Sequence, residues 1–149
     1  MQPLREMDRC TSGPAEQGSL RILLAEDDPA MRALVSGALR VDGHEVTELP
    51  DGGRLLVWIA RCCRGEVPLP DLIVSDVQMP VMTGAAMLKG LRDARLLLPV
   101  VLMTAFPDTH TRWQAESFDA ALIAKPFRME ELREVIRREL SPQRSEGKR

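Results

Sequence analysis

Five polar side chains follow four short hydrophobic segments, and together they form a set that could carry out group transfer. In chain order they supply two acids, a third acid, a hydroxyl and an amine: Glu26 and Asp27, Asp76, Thr104, and Lys125. A carboxylate at the end of a buried strand is a candidate nucleophile. A neighbouring ammonium and hydroxyl could stabilise negative charge on the transferred group. Singly, each residue would be interpreted as a cap, strand or turn residue, so the prediction depends on their coming together.

The surrounding segments predict five β-strands that alternate with five α-helices. Asp28 and Pro29 mark the start of the first helix, because aspartate caps helices and proline suits their first turn. We therefore assign Asp28 to this cap and not to metal binding. The predicted strands are 20–25, 44–49, 72–75, 99–103 and 120–124, and the predicted helices run from 29 to about 42, 51–64, 84–94, 108–116 and 128–140.

This alternation predicts an α/β fold, a doubly wound parallel sheet with right-handed crossovers and helices on both faces. In such sheets the functional crevice lies outside the carboxyl ends of the strands. The five polar residues all follow or end predicted strands. Residues that are distant in sequence would therefore meet at one edge of the sheet.

The first predicted helix carries an apolar stripe. Its hydrophobic residues recur every three or four positions, at Met31, Leu34, Val35, Ala38 and Leu39. Residues at this spacing share one face of a helix. We therefore expect the whole stripe to pack against the sheet.

Length and charge narrow the class of protein. With 149 residues, 44% of them hydrophobic, the chain can bury the core of one domain, which we place at residues 20–140 between flexible tails at 1–19 and 141–149. The net charge of −2 gives no electrostatic footprint for nucleic acid. No helix-turn-helix segment follows residue 140, so direct DNA binding is disfavoured.

The cysteine content and the hydropathy of the sequence indicate where in the cell the protein is located. The three cysteines, Cys10, Cys62 and Cys63, form no even disulfide framework, which favours reduced thiols. No apolar run approaches the roughly 20 residues that span a bilayer, and residues 1–19 contain no hydrophobic signal core. We expect a cytoplasmic protein with no membrane contact.

Three of the polar residues are carboxylates, Glu26, Asp27 and Asp76. Gathered at one edge they would repel one another unless a cation neutralised them. Ligands that are all oxygen select a hard ion, and the sequence predicts Mg²⁺. Neither histidine nor cysteine clusters with these acids, so a zinc site is not expected.

The complete set, in this order, resembles the receiver domain of bacterial two-component response regulators, typified by the chemotaxis receiver. Met79-Pro80 after Asp76 and Pro126-Phe127 after Lys125 strengthen the resemblance, which covers about residues 20–140. It implies a flavodoxin-like (βα)5 fold with strand order 2-1-3-4-5.

The resemblance also implies a role for each residue. A histidine kinase or histidine phosphotransfer protein would donate a phosphoryl group, and a downstream protein would bind the face formed by helix 4, strand 5 and helix 5. A dimer that forms on phosphorylation is a further implication. The implied site comprises Asp76 as phosphoacceptor and direct Mg²⁺ ligand, Asp27 as second direct ligand, Glu26 as a ligand through water, the Gln78 backbone carbonyl as a further ligand, Thr104 as hydroxyl switch, and Lys125 as partner of the carboxylates and the phosphoryl group.

Three of the departures from the family pattern bear on the site or the output face. Glu26 replaces the commoner aspartate, and its longer arm still suits a water-mediated metal contact. Thr83 precedes Gly84 where aspartate is usual. Leu122 stands where the fifth strand often carries an aromatic residue, so an aromatic switch is absent and Thr104 must be coupled to the output face in another way.

Three alternatives remain. The chain could be a receiver excised from a hybrid histidine kinase or a longer regulator. It could be a Mg²⁺-dependent aspartyl phosphatase of the haloacid dehalogenase type, but that class has a second aspartate two residues after the nucleophile, where this chain has Gln78. A degenerate receiver that binds partners without phosphorylation is disfavoured because the acids, Thr104 and Lys125 are intact.

Overall fold

The computed structural model describes residues 18–79 and 82–141. Most of the two expected tails, residues 1–17 and 142–149, lies outside the described residues. Within the described part, no helix is both long enough and apolar enough to cross a membrane.

Five parallel strands form one sheet in the order β2-β1-β3-β4-β5, which confirms the expected topology. Of the three inner strands, β3 and β4 are buried along their whole length, because helices cover both faces of the sheet. The strands are β1 (Arg21–Ala25), β2 (Glu45–Leu49), β3 (Leu72–Asp76), β4 (Val100–Thr104) and β5 (Ala121–Ala124).

The five helices lie within a few residues of their predicted bounds. Four begin where a side-chain oxygen accepts a hydrogen bond from a backbone N–H of the first turn, and the residues that cap them are Asp28, Asp51, Thr83 and Asp108. The cap assigned to Asp28 is thereby confirmed. The helices are α1 (Pro29–Val41), α2 (Gly52–Cys63), α3 (Gly84–Asp93), α4 (Thr109–Ser117) and α5 (Met129–Glu139).

The helices divide between the two faces of the sheet. Leu23 of β1 belongs to the core beneath α2, α3 and α4, whereas its neighbours Ile22 and Leu24 belong to the core beneath α1 and α5. Successive side chains of a strand point to opposite faces, so one apolar strand contributes to both cores. The packing on both faces fixes the strand ends that carry the polar residues.

The predicted stripe of α1 is wrong at Leu34, whose side chain is 61% exposed. Val35 and Leu39 are buried as expected. Ser36 is buried beside them, and its hydroxyl donates to Glu48 Oε2 at 2.8 Å. The buried face of α1 thus includes a serine, and its partner Glu48 on β2 is one that an apolar pattern cannot reveal.

Candidate functional site

Three carboxylates meet at the carboxyl edge of the sheet. Glu26 and Asp27 follow β1, Asp76 ends the adjacent strand β3, and oxygens of the three side chains lie within 4.8 Å of one another. Glu26 and Asp76 are buried, while Asp27 is exposed. The structure thus brings together the acids that the sequence predicted, with the most accessible oxygens on Asp27.

Lys125 joins the buried pair. Its Nζ lies 2.9 Å from Glu26 Oε1 and 3.1 Å from Asp76 Oδ2, and its side chain is 18% exposed. Its backbone N–H donates to the Thr104 carbonyl at 2.7 Å, which ties the residue to the end of β4. The ammonium therefore neutralises part of the charge that would otherwise drive the two carboxylates apart.

The ionisation of the buried pair reflects opposing effects. Burial raises the pKa of Glu26, and the hydrogen bond from Lys125 offsets part of that rise. Burial alone would lower the pKa of Lys125, but its hydrogen bonds to Glu26 and Asp76 and the attraction of their charges together outweigh burial, so its pKa is raised. Lys125 therefore remains an ammonium at neutral pH.

The loop after β3 holds Asp76 from its other side. Asp76 Oδ1 accepts a hydrogen bond from the Gln78 N–H at 3.2 Å, and the Gly84 N–H donates to the Val77 carbonyl at 2.9 Å. A Cβ on Gly84 would lie 2.6 Å from the Asp76 carbonyl oxygen, closer than side-chain carbons approach. Gly84 is therefore required by the close contact between α3 and the end of β3.

Thr104 is fully buried at the end of β4. Its Oγ1 accepts a hydrogen bond from the Phe106 N–H at 3.0 Å, and the Phe106 ring is 70% exposed. A hydroxyl has one proton to donate in addition to the bonds that it accepts. Thr104 therefore keeps a donor while its oxygen fastens the loop that follows β4.

The donor set fits a hard divalent cation. All side-chain donors of the acid cluster are carboxylate oxygens, and the exposed Asp27 gives an ion access from solvent. Lys125 already balances one charge of the three, so the cluster retains excess negative charge to attract a cation. The part assigned to the Gln78 carbonyl stays a prediction.

One residue close to the site was missed by sequence reasoning. Arg32 Nη1 donates to the backbone carbonyl of Glu26 at 2.7 Å. The only signal was its position one turn into α1, six residues after Glu26, where any arginine would be interpreted as a solvated helix residue.

The chain is similar to known proteins in sequence and in fold. Residues 22–137 match the family described as response regulator receiver domain. The chain is 32% identical over 126 residues to regulatory protein AtoC of Escherichia coli, covering 83% of this chain and 26% of AtoC. It is 31% identical over 140 residues to the sensor histidine kinase TmoS of Ectopseudomonas mendocina, covering 83% of this chain and 14% of TmoS. The chain thus spans about a quarter or less of these relatives.

A solved structure gives a similar result. The response regulator protein TrrA of Thermotoga maritima, in complex with Mg²⁺ and BeF, superposes with a TM-score of 0.67 at 25% identity, covering 80% of this chain and 98% of that one. The similarity therefore extends over nearly all the described residues.

Proposed function

Because this chain belongs to the response regulator receiver domain family of two-component signalling, we propose that Asp76 accepts a phosphoryl group and that the domain then signals through protein contacts. The observation that carries the proposal is the contact of Lys125 with both Asp76 and Glu26, beside the exposed acid Asp27. A buried carboxylate with an ammonium on one oxygen and an open acid nearby is suited to aspartyl phosphate chemistry.

A magnesium ion fits the acid cluster. Asp27 and Asp76 would hold it directly, Glu26 through water, and the Gln78 backbone carbonyl would complete the protein's share. When bound, the ion supplies positive charge for the phosphoryl oxygens. The complex of TrrA with Mg²⁺ and BeF supports this assignment by similarity.

Three side chains of this chain would take part in phosphoryl transfer. An Asp76 oxygen forms the new bond to phosphorus as the bond from phosphorus to the donor's imidazole nitrogen breaks, and the electron pair of that bond leaves with the imidazole. Lys125, already at 3.1 Å, moves with little displacement from the carboxylate to a phosphoryl oxygen. The Thr104 hydroxyl donates its remaining proton to another phosphoryl oxygen. The domain catalyses only its own phosphorylation and the hydrolysis of the product.

The partners follow from this chemistry. The donor is a histidine kinase or a histidine phosphotransfer protein, and the downstream target is a protein that binds the face formed by α4, β5 and α5. Trp113 on α4 is 59% exposed and stacks on His110, so α4 presents an exposed aromatic side chain to a partner. Phosphorylation would also promote any dimer formed through this face.

We assign no direct contact with nucleic acid or membrane. We place the receiver domain at residues 20–140 and the protein in the cytoplasm.

A second arrangement has support from the relatives. AtoC and TmoS contain a similar segment within much longer chains. The chain would then be one receiver module of a hybrid kinase or a longer regulator, and the phosphorylation chemistry would be unchanged.

A phosphoryl analogue tests the proposal. Addition of beryllofluoride with Mg²⁺ should shift NMR signals at Asp76, Thr104 and Lys125, and the shifts should extend to α4 and β5. Mg²⁺ or beryllofluoride alone should leave α4 and β5 unchanged. Failure of the combined reagent to move any signal near Asp76 would contradict the proposal.

A further inference from the structure

Arg32 contacts the backbone that carries the acid cluster. It lies in the first turns of α1, its side chain is 21% exposed, and its Nη1 donates to the Glu26 carbonyl at 2.7 Å. That carbonyl belongs to the peptide group that joins Glu26 to Asp27. The guanidinium therefore fixes the orientation of the peptide plane immediately before Asp27.

The peptide group after Asp27 is also held. The Asp28 N–H donates to Glu26 Oε2 at 3.0 Å, and the Glu26 N–H donates to the Leu49 carbonyl at 3.1 Å. A residue has only two soft backbone dihedrals, one toward each neighbouring peptide group. Because both groups are held, the direction in which the exposed Asp27 side chain leaves the backbone is set before any ion arrives.

The edge strand β2 holds Arg32 in turn. Arg32 Nε lies 3.6 Å from Glu48 Oε1. The other oxygen of Glu48 accepts hydrogen bonds from Ser36 at 2.8 Å and Arg40 at 2.9 Å. Glu48 is thus fixed independently of Arg32, and it places the guanidinium where its planar fork can reach the Glu26 carbonyl.

We propose that Arg32 is a positioning residue, which orients the Glu26–Asp27 peptide so that Asp27 joins Glu26 and Asp76 in binding a divalent cation. The inference rests on the proposed function. The Arg32 side chain would not touch the ion. It would act through the backbone of Asp27, whose side chain would.

Removal of Arg32 would affect the affinity for Mg²⁺ in two opposite ways. Loss of a positive charge near the acids would by itself strengthen the binding of Mg²⁺. Loss of the bond to the Glu26 carbonyl would weaken it, because groups that orient metal ligands contribute about 10–100-fold to affinity. The guanidinium already lies 3.6 Å from the Glu48 carboxylate, which offsets much of its repulsion of a cation, so we expect positioning to outweigh repulsion.

The test measures Mg²⁺ affinity by calorimetry in the wild type and in Arg32→Ala, Arg32→Lys and Arg40→Ala. Arg32→Ala should raise the Kd about tenfold, and Arg32→Lys, which keeps the charge but loses the fork, should raise it about threefold. Arg40→Ala is the matched control, because Arg40 lies on the same helix and donates its other bond to the Val46 carbonyl, and because Ser36 still holds Glu48 when Arg40 is removed. Its Kd should stay within about twofold of the wild type.

A second readout uses protein without metal. Amide NMR signals of Asp27 and Asp28 should move in Arg32→Ala and stay in place in Arg40→Ala.

An unchanged or lower Kd in Arg32→Ala, or an equal loss of Mg²⁺ affinity in Arg40→Ala, would overturn the inference. Should Arg32→Ala fail to fold, a wild-type Kd in Arg32→Lys would overturn it. No Mg²⁺ binding by the wild type would overturn the proposed function and this inference together, whereas normal binding that survives Arg32→Ala overturns the inference alone.

Discussion

Glu26 has 1% of its surface exposed, and its Oε1 lies 2.9 Å from the Lys125 ammonium. The two residues are 99 positions apart in sequence and meet because β1 and β5 end at the same edge of the sheet. A buried charge needs a partner, and here each residue supplies the other's. The pair thus keeps an ammonium beside Asp76 before any phosphoryl group arrives.

Glu26 should make the stability of the metal-free protein depend on pH. Burial raises its folded pKa above the usual value of 4.5. An acid whose pKa is higher in the folded state than in the unfolded state stabilises the fold most below its unfolded pKa. This contribution is lost as pH rises through the folded pKa. Urea unfolding in EDTA should therefore show the wild type losing stability relative to Glu26→Gln as pH increases from below 4.5 to neutrality. A difference that stayed constant or grew in favour of the wild type would contradict the assignment.

Asp27→Ala should weaken Mg²⁺ binding with little loss of stability in the metal-free protein, because its carboxylate is exposed. Mg²⁺ at a hundredfold excess over Kd should stabilise the wild type by about 2.7 kcal/mol. Thermal unfolding with and without Mg²⁺ should show that this gain is reduced in Asp27→Ala. Asp93→Ala removes an exposed acid on α3 that pairs with Lys89, and it should keep the full gain.

Gly84→Ala should destabilise the protein and slow its phosphorylation. The new Cβ would lie 2.6 Å from the Asp76 carbonyl oxygen, so the loop that holds Asp76 must shift, at a cost of about 1–3 kcal/mol. Gly90→Ala is the control on the same helix, because a Cβ added there would meet no atom within 4 Å apart from its chain neighbours and the backbone of its own helix. It should be neutral or stabilising by up to about 1 kcal/mol. Denaturant unfolding and the rate with acetyl phosphate measure both effects, and equal behaviour of the two variants would refute the close-contact argument.

Thr104→Ala should still accept a phosphoryl group, but the structural response of α4 and β5 to it should be weak. The variant loses a proton donor and leaves the Phe106 N–H without its acceptor, at a cost of about 1–3 kcal/mol if that N–H stays unsatisfied. Thr104→Ser keeps the hydroxyl and should behave like the wild type. NMR shifts in α4 and β5 under beryllofluoride should shrink in the alanine variant, and full-sized shifts would rule out this route of coupling.

The sequence predicts the sheet and the members of the site for different reasons. Apolar segments such as 72–75 identify strands, and parallel topology then places Asp76 beside Glu26 without knowledge of any contact. Side-chain geometry is not accessible in this way. Leu34 is exposed while Ser36 is buried with Glu48 as its partner, and the role proposed for Arg32 depends on where β2 places Glu48. Both follow from packing between elements, which a periodic pattern along one element does not contain.

The most direct test of the central claim is the site of phosphorylation. The wild type, incubated with acetyl phosphate and Mg²⁺, should gain the mass of one phosphoryl group, and EDTA should prevent the gain. Asp76→Asn should gain none while retaining its fold, because the amide has nearly the same shape but is not a nucleophile. Asp93→Asn should react like the wild type. The same phosphorylated species in Asp76→Asn would contradict the assignment of Asp76 as phosphoacceptor.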